Sequence, residues 1–168
     1  MIYFGGDNGS TGNYGVIYSD GWAEYRSYPV KRVQDYTKKK QEVTRLDAEE
    51  WMLELRDIVG RQPQDQIRIF LERPFVNYHG YAIKTSLNAV RFFEAQLVVI
   101  ELLGISYDII DSRMWQKELL PAGTKGPELK KKSLDIGIRL FPQLKETIRK
   151  MKDADGLLIA EWARRHNL

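Results

Sequence analysis

The sequence has no cysteine and only two histidines, His79 and His166. Without thiols, disulfide bonds and thiolate metal sites are excluded, and a histidine-rich zinc site is disfavoured. A metal bound by this chain would therefore have oxygen ligands, which favours magnesium or manganese. The lack of cysteine also fits an intracellular protein, and we expect a cytoplasmic location.

Long apolar runs are absent as well. No stretch approaches the roughly 20 residues that cross a bilayer, and the first residues lack the charged and apolar regions of a secretory signal. We therefore expect no membrane segment and no membrane partner. The chain has 168 residues, of which 43% are hydrophobic. This length and composition predict a single globular domain over residues 1–168 with its own core.

The net charge of +3 is small, but the basic residues are unevenly distributed. They form clusters at Lys38–Lys40, at Lys130–Lys132, within residues 145–152, and at Arg164 and Arg165. Clusters of this kind bind the phosphate backbone of nucleic acids, or they are merely solvated faces of helices. Composition alone leaves both interpretations open.

The N-terminal segment predicts consecutive antiparallel strands. Apolar patterning places them at Ile2–Gly6, Tyr14–Ser19 and Trp22–Tyr28. Asp20 and Gly21 join the second and third strands, and an Asp-Gly pair is a strong hairpin signal. Residues 31–45 are polar and rich in lysine with no clear period, and we expect them to form a weakly ordered connection.

Helices and strands alternate over the rest of the chain. The pattern predicts a helix from Asp47 to Gly60, a strand Ile67–Leu71, a loop over residues 73–82, a helix Thr85–Leu103, a strand Ser106–Ile110, helices Trp115–Leu120 and Leu129–Leu140, and a helical tail Leu144–His166 with a break near Asp153. Three antiparallel strands followed by βαβ crossovers imply an α/β fold with a five-stranded mixed sheet flanked by helices. This order of elements resembles the ribonuclease H-like fold.

Two carboxylates stand at the ends of predicted strands. Asp7 follows the first strand and precedes a glycine-rich turn, in which the backbone can bend sharply and approach a phosphate. Glu72 follows the strand Ile67–Leu71, and if these strands are neighbours the two acids lie side by side and repel unless a cation bridges them. Asp7 could equally stabilise the turn alone, and Glu72 could leave the sheet as a surface residue.

Two further acids, Asp153 and Asp155, precede an apolar helical segment. Residues two apart on a helix point roughly 200° apart, so both carboxylates cannot easily face one metal site. We favour Asp155 as a ligand, because Leu158, Ile159 and Trp162 form a packing face that would fix its direction. Asp153 is then either the N-cap of the last helix or a further ligand.

Several motifs together resemble the RuvC family of Holliday junction resolvases, over essentially the whole chain. The matching segments are residues 7–10 with 15–17, residues 71–74, and residues 155–160. Residues 112–117, 132–134 and 140–142 are similar to the phage-type branch, which would fit a phage-encoded protein in a bacterial host. One departure concerns the last motif, where relatives carry a second acid three residues before Asp155 and this chain has Lys152.

The resemblance implies a crossover junction endodeoxyribonuclease that hydrolyses phosphodiester bonds with two magnesium ions, for which manganese would substitute. It implies that Asp7 bridges both ions and that Glu72 and Asp155 complete one each. For the fourth ligand, either the last helix starts differently or Asp153 substitutes imperfectly. Lys117, or a nearby lysine, would neutralise charge on the phosphate, although a solvated lysine explains it equally well. No small-molecule cofactor is implied, and the expected partner is branched DNA, especially four-way junctions.

Two further features of the sequence concern the oligomeric state and the binding of unpaired bases. The apolar stripe of the helix Thr85–Leu103 is wider than one sheet face needs, which fits a homodimer with two active sites. Aromatic residues of the loop over residues 73–82 (Phe75, Tyr78, His79 and Tyr81) could stack on unpaired bases, or simply pack the loop.

Three other functions are alternatives to a resolvase. A different nuclease of the same fold would act on other branched DNA or on an RNA–DNA hybrid. A degenerate module would bind DNA without cutting it. The loop after the first strand also resembles the phosphate loop of the actin, Hsp70 and sugar-kinase superfamily, whose members need two such domains and have no use for Glu72.

Overall fold

A computed structural model describes residues 1–35, 41–62, 66–76 and 82–168. The strands are β1 (Ile2–Gly6), β2 (Asn13–Ile17), β3 (Ala23–Ser27), β4 (Val30–Gln34), β5 (Glu42–Leu46), β6 (Ile67–Glu72) and β7 (Tyr107–Ile110). The helices are α1 (Ala48–Arg61), α2 (Ala82–Leu102), α3 (Ser112–Leu119), α4 (Glu128–Leu140), α5 (Lys145–Met151) and α6 (Asp155–His166), with one 3₁₀ turn at Pro142–Leu144.

The main sheet has five strands in the order β3-β2-β1-β6-β7. β1 pairs antiparallel with β2, and β2 with β3, as consecutive hairpin strands do. β1 pairs parallel with β6, and β6 with β7, through crossovers that contain α1 and α2. The predicted five-stranded mixed sheet flanked by helices is therefore confirmed.

The conformation expected for residues 31–45 is the main prediction from the sequence that was wrong. The expected weakly ordered connection is instead largely a two-stranded antiparallel sheet formed by β4 and β5, with Val33 opposite Val43. Of these two strands, only β5 buries side chains, those of Val43 and Leu46. So few apolar positions among charged ones do not produce a recognisable period of two. The cluster Lys38–Lys40 lies outside the described residues.

Each face of the main sheet carries a separate hydrophobic core. Side chains alternate along β1, so that Ile2 and Phe4 pack with Trp51 of α1 and Ile100 of α2, whereas Tyr3 packs on the opposite side. The opposite core is formed by α3 to α6 against the sheet. Such a three-layer arrangement covers both faces of the parallel strands and leaves their ends accessible.

The helix α6 lies closer to the sheet than side chains would allow. A Cβ atom on Gly5 would overlap the backbone of Ala160 and Gly156, and one on Gly15 would overlap Leu157. Residues 156–163 of α6 are all buried, including Glu161, whose carboxylate binds both Arg164 and Arg165. This arginine pair therefore neutralises a buried acid of its own helix.

The long helix α2 begins three residues before the predicted start. It buries Phe92, Val99 and Ile100 against the sheet, yet it also exposes Ile83, Leu87, Val98 and Leu102 along one side. No helix within the described parts of the chain combines the length and the apolar character required to cross a membrane. The exposed apolar side remains consistent with the predicted homodimer, which stays a prediction.

We predict that Gly5→Ala lowers the free energy of unfolding by at least about 1–3 kcal/mol, because the new methyl group meets backbone atoms that cannot rotate away. Urea denaturation followed by circular dichroism measures this change. Gly60→Ala in α1 is the matched control, since its Cβ would meet no atom within 4 Å and alanine favours a helix by about 1 kcal/mol. Equal stability of the Gly5 variant and the wild type would contradict the close contact.

Candidate metal centre

Asp7 and Glu72 lie at the same edge of the sheet. Gly6 of β1 is in register with Leu71 of β6 in a parallel pair, so the next residue of each chain segment is one of the two acids. The backbone N–H of Asp7 donates to the carbonyl oxygen of Asn13 at 3.0 Å, which closes the glycine-rich turn back onto β2. The two strands are therefore neighbours, which is the condition under which the sequence places the two acids side by side.

Asp153 and Asp155 flank the start of α6. Asp155 is the first residue of this helix, Ala154 is its N-cap, and Asp153 precedes it. The cap interpretation of Asp153 is therefore wrong, and the angle of 200° between the two acids does not apply because Asp153 is not helical. Lys152 adopts a left-handed conformation (φ 72°) at the end of α5 and turns the chain between the two helices. This turn redirects Asp153 toward the sheet, although the acid stands two rather than three residues before Asp155.

Three of the acids converge. Asp7, Asp153 and Asp155 each offer a carboxylate oxygen, and these oxygens lie within 4.8 Å of one another. Glu72 is not a member of this set, but its charge acts on Asp7. Asp153 is buried, whereas the other three acids are partly exposed, so the cluster opens to solvent at the edge of the sheet.

Burial and, to a smaller extent, the proximity of the acids disfavour their ionised forms. Burial, together with the negative charges of Asp155 and Glu72, raises the pKa of Asp7 well above its usual value. Burial raises the pKa of Glu72 to about 7 and that of Asp155 to about 6. The carboxyls of Asp7, Glu72 and Asp155 therefore stay protonated to a higher pH than free carboxyls do, unless a cation compensates their charge.

Neighbouring side chains fix the direction of three of the acids. The indole Nε1–H of Trp115 donates to Glu72 Oε2 at 2.9 Å, and Ser133 forms a hydrogen bond with Asp155. The hydroxyl of Tyr25 donates to Asp153 Oδ1 at 2.8 Å. The sequence analysis assigned none of these three residues to the site. Trp115 and Ser133 nevertheless lie within two of the segments similar to the phage-type branch, whereas nothing in the sequence singles out Tyr25.

The lysine that contacts the cluster is Lys130. Its Nζ donates to Asp153 Oδ2 at 2.8 Å from the first turn of α4. Lys117, the lysine named by the sequence analysis, lies near the end of α3 and lines a surface cavity of about 420 Å³ with Arg113, Gln116 and Thr124. Among the described residues, Lys117 forms no hydrogen bond or ion pair with the acids. Its role toward the phosphate stays a prediction.

The donor set suits a hard divalent cation. All converging ligand atoms are carboxylate oxygens, which magnesium and manganese prefer, and the described residues bring no imidazole into the set. A cation would also remove the repulsion that raises the pKa values of the acids. Asp7, Asp155 and Asp153, with Glu72 beside them, are therefore the residues that could hold it.

The fold has counterparts among solved structures. The RuvC protein of T. thermophilus in complex with a Holliday junction substrate superposes with a TM-score of 0.60 at 18% sequence identity, covering 99% of this chain and 94% of that one. Another Thermus thermophilus RuvC structure superposes with a TM-score of 0.48, also at 18% identity, covering 99% and 97% of the two chains. The chain thus has the ribonuclease H-like fold of RuvC. No protein-family model and no curated protein sequence matches it.

We predict that the burial and mutual repulsion of the acids make the metal-free protein less stable at pH 8 than at pH 5. Because folding raises the pKa of these carboxyls, the folded state keeps protons that the unfolded chain has released. Their stabilising contribution is complete below about pH 4, the unfolded value, and is lost as the pH rises through about 6 and about 7. Thermal unfolding in EDTA at several pH values measures this loss, and MgCl₂ should reverse it at pH 8.

The variant Asp7→Asn separates the contribution of the acidic cluster to the pH dependence of stability from that of other titrating groups. It removes one repelling charge, so its melting temperature in EDTA should fall less between pH 5 and pH 8 than that of the wild type. Asp135→Asn, an exposed acid of α4, is the control and should follow the wild type. An identical pH dependence in all three proteins would show that the acids do not repel one another.

Proposed function

We propose that the protein is a metal-dependent, structure-selective endonuclease that resolves four-way DNA junctions by hydrolysing phosphodiester bonds. The observation that carries this proposal is the convergence of Asp7, Asp153 and Asp155 within 4.8 Å at the accessible edge of the sheet. Glu72, from the neighbouring strand, supplies a fourth carboxylate. Acids that converge from separate elements and stay open to solvent suit a metal that acts on a large substrate.

Phosphodiester hydrolysis requires stabilisation of negative charge and an activated water. A magnesium or manganese ion bound by these carboxylates would supply positive charge at the phosphate and lower the pKa of water. The chain contributes the direction of the ligands, since Trp115 and Ser133 hold Glu72 and Asp155 by hydrogen bonds. Fixed ligands need no rearrangement during the reaction.

The surroundings of the cluster favour nucleic acid as the substrate. Lys131 and Lys132 follow Lys130 on α4, and the cavity beside α3 contains Arg113 and Lys117. Cations of this kind can bind the backbone phosphates of a long substrate. Phe75, three residues after Glu72, is 83% exposed and is available to stack on an unpaired base. Tyr78, His79 and Tyr81, named with it, lie outside the described residues.

Two observations support a preference for four-way junctions. The T. thermophilus RuvC structure with this fold was solved with a Holliday junction substrate, and a symmetric junction is cut by two sites. The exposed apolar side of α2 offers a surface through which two copies of this chain could pair. We therefore infer a homodimer with one cluster for each of two opposing strands.

We expect Asp7→Asn to abolish cleavage of a synthetic four-way junction while leaving junction binding intact, because the carboxylate holds metal and does not contact DNA. Gel analysis of labelled strands with magnesium or with EDTA measures cleavage, and mobility shift measures binding. Asp135→Asn should cleave as the wild type does. Cleavage by the Asp7 variant at the wild-type rate would refute the metal centre.

The same assay separates the related activities. Paired nicks in opposing strands of the junction support a resolvase, whereas cutting of an RNA–DNA hybrid alone would assign a ribonuclease H. Tight junction binding without cutting in either magnesium or manganese would indicate a degenerate DNA-binding module. A linear duplex serves as the substrate that should remain intact.

We predict that Val98→Glu on the exposed side of α2 produces monomers, because the dimer would bury this charge. Sedimentation equilibrium measures the mass, and the two nicks of a junction should become uncoupled. Leu53→Glu on α1 is the control, since Leu53 is similarly exposed but lies on another helix. A dimer that survives the Val98 substitution would place the interface elsewhere.

A further inference from the structure

One face of α4 is directed at the acidic cluster. Lys130 and Ser133 are one helical turn apart, and both reach it: Lys130 binds Asp153, and Ser133 accepts the backbone N–H of Ala154 at 3.0 Å. One turn further, Gly137 allows the close approach, because a Cβ there would overlap the Cβ of Ala154. The position of the Lys130 stem is therefore set by backbone packing, although most of its side chain is exposed.

Asp153 differs from the other acids in its contacts. Its Oδ1 accepts from Tyr25 at 2.8 Å and from Asn13 Nδ2 at 3.5 Å, and its Oδ2 accepts from Lys130 at 2.8 Å. Both oxygens are thus engaged by the protein. Glu72 and Asp155, by contrast, accept hydrogen bonds from neutral donors, an indole and a hydroxyl.

The Lys130 ammonium already supplies positive charge at Asp153, the acid through which a second metal ion would be bound. A divalent ion bound through Asp153 would lie close to the Lys130 ammonium, and like charges at such a distance repel. The buried carboxylate of Asp153 in turn needs a cationic partner, since a buried and unpaired charge is unfavourable.

We propose that Lys130 is the second cation of this site and that Asp153 is its positioning residue rather than a metal ligand. A single ion would then be held by Asp7 and Asp155, whose carboxylate oxygens lie within 4.8 Å of each other, with Glu72 beside them, and the Lys130 ammonium would neutralise charge on the phosphate. This division of roles rests on the proposed nuclease function and replaces the two ions and four acidic ligands that the resemblance to RuvC implied.

The experiment is a titration of the DNA-free protein with Mn²⁺, with the free ion followed by electron paramagnetic resonance. The wild type should bind one Mn²⁺ per chain. Lys130→Gln should bind a second ion, or should bind Mn²⁺ tighter by about tenfold, because Asp153 becomes available. Lys130→Arg keeps the positive charge and should keep one ion, and Lys131→Gln, the adjacent lysine of α4, should match the wild type.

Variants of the acids test which carboxylates bind the metal. Asp7→Asn should weaken Mn²⁺ binding by at least about tenfold, whereas Asp153→Asn should leave it almost unchanged. Circular dichroism confirms that each variant is folded. Two equivalent ions in the wild type, an equal loss in the Asp153 and Asp7 variants, or no Mn²⁺ binding by any protein would each overturn the proposal.

Junction cleavage is measured separately on the same variants, so that the two failures can be told apart. If the wild type cuts no substrate, the proposed function fails, while the Mn²⁺ stoichiometry still decides the role of Lys130. If the wild type cuts, Lys130→Gln should lose activity in spite of its additional metal binding. Retained cleavage in that variant would contradict a role for the ammonium at the phosphate.

Discussion

The contact between α6 and the first two strands is the constraint on which the rest of the structure depends. Gly5 and Gly15 of the sheet meet the backbone around Gly156 with no side chain between them. Because backbone atoms form this contact, no change of rotamer can alter the distance. The start of α6, and with it Asp155, is thereby held beside the end of β1, where Asp7 stands. The acids converge through packing and in spite of their charges.

The repulsion within the cluster is balanced by the two cores on either side of the sheet. Trp51 and Ile100 are fully buried on one face, and Trp115 and Ile148 on the other. Burial of large side chains stabilises a domain by far more than a few misplaced charges destabilise it. The acids lie at the ends of β1 and β6 and beside the start of α6. The fold can tolerate the repulsion among them, as folds commonly do at functional sites.

Much of this arrangement could be predicted from the sequence, because local patterns determine it. The apolar runs of β1 and β6 placed Asp7 and Glu72 at strand ends, and Asp20 with Gly21 indicated the hairpin. The β4–β5 sheet was missed because its burial depends on α2 and has little apolar pattern. The cap alternative for Asp153 was wrong because the left-handed turn at Lys152, which is rare for a residue with a side chain, shifts the start of the helix. Lys130 and Tyr25 come from distant elements, and no local signal joins them to the acids.

The sequence separation within the site has a consequence for how the protein is made. Asn13 and Asp153 are in contact across 140 positions of the chain, and contacts of such range form late, after the intervening chain has closed. During synthesis, Asp7 and Glu72 leave the ribosome long before α6 exists. A nascent or truncated chain therefore holds an incomplete set of ligands. If the cluster binds a metal as proposed, its affinity would arise only with the finished fold, and metal binding would also report on folding.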